Sequence, residues 1–213
     1  MKVRTQIIVF VVIVALGVGG YFGWSTYSNR YQVKAFSFDL DDIVNDAFYA
    51  AYKAYMSWVN DGVSGGDDNK LKTALKSKLQ VFYVKDLDDV KYAYTSRFDN
   101  LGMTDCSRIY FGNKDIVNKL KAGSDLSKNQ LYWLSHELAH TEQCQLWGGR
   151  KNYAIRWFKQ VKSVVLNSIK NGSFKDIVKD IFNAQSLAKY DNNMSMEVYA
   201  DKKAAGVVKK LMP

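Results

Sequence analysis

The stretch Ser135-His136-Glu137-Leu138-Ala139-His140-Thr141 constrains this chain more than any other. Residues four apart lie on one face of a helix, so the H-E-x-x-H spacing lets both imidazoles reach one metal ion. Glu137, beside them, is placed to hold a water at that ion and take its proton. Composition sharpens the point. The chain has two histidines, and both are here. Of its three glutamates, Glu137, Glu142 and Glu197, the first falls inside the motif. The helix itself is legible: Ser127 and Gln130 form a capping box at its start, and Gly148-Gly149 stop it after about Trp147.

Two histidines leave a zinc ion short of a third protein ligand and one open position for water. A glycine three residues past the second histidine and a third histidine three further on would mark the metzincins. Gln143 and Leu146 stand there instead, which excludes that subclass. Glu142, two residues past His140, points away from the metal. Asp191 is an alternative carried on a loop. Near the C-terminus, Glu197, Ala200, Asp201, Ala204, Val208 and Leu211 share one helical stripe, which turns both carboxylates inward with small and apolar residues. A buried carboxylate is costly unless paired or bound to a metal, so Glu197 is the leading third ligand. Asp201, one turn later, can accept a hydrogen bond from a ligand imidazole and fix its tautomer.

His136-Glu137-x-x-His140 followed by Glu197-x-x-x-Asp201 resembles the gluzincins, the thermolysin-like zinc metallopeptidases. With Ile109-Tyr110-Phe111 ahead of the metal helix, the likeness narrows to the small bacterial gluzincin domains, most of unassigned role. It covers roughly Val90 to Leu211. The resemblance implies a minimal zincin-like fold whose sheet edge lies above the active-site helix, where an extended peptide or protein substrate pairs by β-augmentation. It also implies zinc-dependent peptide hydrolysis with one Zn2+ per chain and Glu137 as the catalytic base. The gap between His140 and Glu197 is longer than in thermolysin and holds two helices. The family's transition-state donor, a His or Tyr, is not transferable; Tyr153, Tyr190 and Tyr199 are the candidates. The other reading is a non-catalytic, zinc-stabilised binding module of the cell envelope.

Lys2 and Arg4 precede an apolar run from Ile7 to Leu16 that continues to Trp24. This fits a signal peptide or an uncleaved anchor, with the anchor favoured because Val18-Gly19-Gly20 is a mediocre cleavage site. Residues 1–24 are therefore expected to meet the membrane, 25–38 to connect, and 39–213 to fold outside the cytoplasm. An oxidising compartment pairs Cys106 with Cys144, stapling a strand to the metal helix. Cys144 as a ligand is excluded, since eight helical residues put it about 12 Å along the axis from His136. The formal net charge of +9 comes from lysines scattered over most elements, a solvated basic surface with no nucleic-acid partner.

The fold class expected is α+β, predominantly helical. Apolar spacing predicts helices over 39–60, with Leu40, Ile43, Val44, Ala47, Phe48, Ala51, Tyr55 and Val59 as its stripe, and over 71–80, 153–170 and from Ser173. Asp115 to Lys121 makes a helical turn. Val90, Tyr92 and Tyr94 alternate with polar or small residues as in a half-buried strand, and Arg108 to Phe111 is a second strand.

Overall fold

A computed structural model describes residues 40–63, 68–100, 102–170 and 195–213. The expected anchor and connector, the helix expected from Ser173, Tyr190 and Asp191 lie outside them. Among the described residues no helix is long and apolar enough to cross a membrane. The chain divides into two compact units, Met1–Tyr55 and Met56–Pro213, and everything that builds the site belongs to the second.

The protein is α+β and mostly helical, with one small mixed sheet of four strands among the described residues. Helix α1 (Leu40–Asn60) buries Phe48, Ala51, Tyr52, Met56 and Val59. Ala47, expected on that stripe, is exposed, and the true stripe runs through Tyr52 and Met56. Strand β1 (Asn69–Lys70) precedes helix α2 (Thr73–Gln80), which stands within the short helix expected over 71–80. After a short 3-10 turn (Leu87–Asp89) come β2 (Lys91–Tyr94), β3 (Gly102–Asp105) and β4 (Arg108–Phe111). The sheet order is β1-β2-β4-β3, with β2 and β4 parallel and the other pairs antiparallel. Tyr92 and Ala93, which face opposite sides of the sheet, are both buried, which overturns the expected half-buried alternation. Strand β3, with its Gly-Met-Thr-Asp sequence, carries no strand signal and escapes a reading of the sequence.

Helix α3 (Lys114–Ala122) starts on the Asn113 side chain, which accepts from the Asp115 amide, and ends on Gly123 in the left-handed region (φ 72°). Helix α4 (Lys128–Leu146) opens with the Ser127/Gln130 capping box, both halves formed. Helices α5 (Arg150–Lys170) and α6 (Ser195–Leu211) are the last two elements among the described residues. One apolar core joins Tyr92, Ile109 and Phe111 of the sheet to Leu131, Leu134 and Leu138 of α4 and Ala200, Val207 and Val208 of α6. Helix α4 is the centre of that arrangement. From Leu134 to Cys144 every residue except His136 is buried. A disulfide joins Cys144 to Cys106 in the β3–β4 turn, with Cα atoms 5.4 Å apart. It closes the chain across 38 residues and ties the β3–β4 turn to α4.

Candidate metal centre

Burying the middle of α4 obliges its polar side chains to find partners inside the protein. They do so in two groups. One group gathers on α6. His136 Nε2 and His140 Nε2 stand 3.0 Å apart, and each is 3.1 Å from Glu197 Oε2. Among the described residues His136, His140 and Glu197 are the cluster able to hold a metal ion. Ligand atoms held about 2.0–2.1 Å from one tetrahedral ion stand roughly 3.3 Å from each other, so the triangle is close to the size zinc requires.

The tautomers agree with that use. His136 Nδ1 donates to Asp201 Oδ1 at 2.9 Å, and His140 Nδ1 donates to Gln143 Oε1 at 2.8 Å. The Gln143 amide is oriented by its own Nε2, which donates to the Met196 carbonyl at 3.0 Å. With both Nδ1 atoms acting as donors, each neutral ring presents its Nε2 lone pair inward. Three lone pairs then converge, and such a set needs a cation.

In the metal-free protein a proton fills that need. Burial pushes His140 down, but the Glu197 carboxylate outweighs it with help from Glu137 and Gln143, and His140 rises to about 9. His136 also rises, burial being overcome by its bond to Glu197. Glu197 moves the other way: burial raises it, yet the charge of His140 and the two imidazole bonds bring it down to about 2.

Glu137, a turn-mate of the ligands, reaches in a different direction. Its Oε2 accepts from the Thr104 hydroxyl of β3 at 2.7 Å. Gly102, two residues earlier on the same strand, leaves room for the carboxylate: a Cβ there would stand 2.3 Å from Glu137 Oε1. Strand β3 has β4 as its ladder partner and is the end strand of the sheet. The candidate base therefore lies between the metal cluster's helix and an edge strand.

The second group of polar residues fastens the far side of α4. Fully buried Glu142 accepts from the Val84 amide at 2.6 Å, from the Tyr199 hydroxyl at 2.6 Å, and from Lys203 Nζ. This accounts for Glu142 without a metal, and it commits the Tyr199 hydroxyl away from the cluster. Burial and the Glu142 bond lift the Tyr199 phenol to about 12. Tyr153 is the candidate donor that the fold does bring near: its ring centroid is 6.3 Å from that of His140, and it stacks on Trp147.

Four residues of the site were not assigned a role from the sequence. Tyr132 donates to Asp201 Oδ1 at 2.7 Å, so this one oxygen holds both a tyrosine and a ligand histidine. Gln143 holds His140, while Thr104 and Gly102 bracket Glu137. Helical spacing would have found two of them, since Tyr132 is one turn before His136 and Gln143 lies three residues past His140. Thr104 and Gly102 needed the unseen strand. Comparison with known proteins brings no match: no family model, no curated protein and no solved structure aligns with the chain.

Proposed function

We propose that the chain is a gluzincin-like zinc metallopeptidase with a minimal zincin-like fold. His136, His140 and Glu197 would hold one Zn2+, and a peptide or protein would be its substrate. The observation that carries this reading is the convergence of three candidate ligand atoms about 3 Å apart, two of them on the helix whose buried Glu137 bonds an edge strand. Zinc held there supplies Lewis acidity, which lowers the pKa of water toward 7. The chain's own residues supply the rest. Glu137 receives a proton from the attacking water and returns it to the leaving amine, the acid–base work for which a carboxylate beside the ligands is suited. Asp201 and Gln143 keep the ligand lone pairs facing one point. An extended substrate would lie alongside Glu137 at β3, the end strand of the sheet among the described residues.

The alternative, a non-catalytic binding module stabilised by zinc, fits the ligand set less well. Structural zinc is closed by four protein ligands. Among the described residues three side chains meet here, and both cysteines are spent in the disulfide. That disulfide also supports export, since such bonds persist in oxidising compartments. It agrees with an N-terminal segment that anchors the domain outside the cytoplasm.

The test is digestion of a peptide library by the purified protein with zinc, with a chelator, and with zinc restored. Cleavage that disappears and returns with the metal is expected. A metal-free protein that still cleaves sinks the proposal.

A further inference from the structure

Glu197 is the third residue of α6, and its place depends on how that helix begins. The Met196 peptide, one residue earlier, is gripped at both ends by glutamine side chains from two other helices. Its N–H, one of the donors a helix start leaves without an intrahelical partner, bonds Gln160 Oε1 of α5 at 3.2 Å. Its carbonyl accepts from Gln143 Nε2 of α4 at 3.0 Å. The same Gln143 amide takes the His140 Nδ1 proton on its oxygen at 2.8 Å. The Met196 side chain is buried, so water is a poor substitute for either bond.

We infer that Gln143 and Gln160 are positioning residues forming a two-glutamine clamp on the Met196 peptide, which sets Glu197 at the distance from His136 and His140 that a metal ion requires. The inference rests on the metal-centre reading above and does not depend on the reaction. Gln143 has the larger share, because one planar amide fixes the tautomer of one ligand and the backbone beside another. Turning His140 turns the amide, and that loosens the start of α6. Gln160 acts on Glu197 alone. Removing hydrogen-bond partners of this kind costs a metal site about 10- to 100-fold in affinity.

The experiment is a zinc titration of the full chain against a competing chelator, with Co2+ absorption spectra and 15N-histidine spectra recorded alongside. Two histidines give two imidazoles to assign. Gln143→Leu is expected to weaken zinc binding by about 10- to 100-fold and to mix the His140 tautomers. Gln143→Glu keeps an acceptor for Nδ1–H but loses the donor to Met196, so it holds the tautomer and still loses affinity. Gln160→Leu weakens binding and alters the Co2+ spectrum while His140 keeps its tautomer. Gln160→Glu, which still accepts from the Met196 amide, recovers wild-type affinity. Wild-type affinity in folded Gln143→Leu and Gln160→Leu overturns the clamp, as does a loss in Gln160→Leu that Gln160→Glu does not repair. If the leucine variants fail to fold, Gln143→Glu decides, and unchanged zinc affinity there is the overturning result. Wild-type protein that binds zinc but cleaves nothing removes the hydrolysis reading and leaves the clamp standing. Wild-type protein that binds no zinc removes both.

Discussion

At the scale of single residues, the same carboxylate that completes the candidate metal cluster governs how the metal-free protein responds to pH. His140 rises from its ordinary 6.5 to about 9, so its contribution to stability is full below pH 6.5 and is lost as pH climbs through 9. Glu197 falls from its ordinary 4.5 to about 2, so its contribution is full above pH 4.5 and is lost as pH drops through 2. Both are complete between pH 4.5 and 6.5. Thermal unfolding in the presence of chelator is therefore expected to show the cluster's largest effect in that window, and Glu197→Ala is expected to flatten it. Metal binding runs the other way, tightening toward pH 9 as protons stop competing for Nε2. Zinc affinity independent of pH between 6 and 9 contradicts this account. Glu137 has a separate role and a separate outcome. Glu137→Gln retains the metal and loses peptide cleavage by about 10²- to 10⁴-fold, the usual range for a general base. Gly102→Ala acts through Glu137, because the new methyl group would clash with Oε1 and push the carboxylate aside. A displacement near 1 Å costs roughly 10²-fold in turnover, so kcat is expected to fall by about that factor at unchanged zinc content. Equal kcat in the alanine variant means that Glu137 can settle elsewhere and still act.

At the scale of elements, what the sequence makes legible follows from which signals are local. The capping box of Ser127 and Gln130, the stop at Gly148-Gly149 and the stripe from Glu197 to Val208 are local, and all three stand in the structure. So does the Cys106–Cys144 pair, inferred from compartment and count. Strand β3 is not local. Its four residues become a strand because β4 pairs with them and α4 packs beneath them, with no help from propensity. Helix α4 was legible as a helix but not as a buried one, since Glu137, His140, Glu142 and Gln143 give it no clean apolar face. Its burial rests on partners 33 to 58 residues away, such as Thr104 and Val84, which no short-range pattern encodes. The disulfide keeps β3 close to α4. Cys106→Ser with Cys144→Ser is expected to lower unfolding free energy by about 4 kcal/mol, the chain-entropy value for a loop of this length. Denaturant unfolding of the wild type with and without reductant checks it, and a loss below about 1 kcal/mol would assign the β3–α4 register to packing alone.

At the scale of the whole molecule, the candidate metal ligands come from two helices distant in sequence, with His136 and Glu197 separated by 61 residues. A bound ion is then a cross-link between α4 and α6, and the folded chain alone can form it. Anything that binds the native state and not the unfolded one adds RT ln(1 + [L]/Kd), about 4 kcal/mol at a thousandfold excess over Kd. For a chain of this size each kcal/mol moves Tm by roughly 2–4 °C, so saturating zinc is expected to raise Tm by about 8–16 °C. Glu142, with Tyr199 and Lys203, fastens the same two helices without the ion. The metal-free protein should therefore stay folded, and the zinc effect should be an upward shift of one transition, not the appearance of a new one. Glu197→Ala should abolish the shift, because the remaining ligands both belong to α4. Glu142→Gln should lower Tm with and without zinc and leave the size of the shift intact. Calorimetry of the three proteins, each with zinc and with chelator, separates the two fastenings. A zinc shift that survives Glu197→Ala would place the ion elsewhere on the protein.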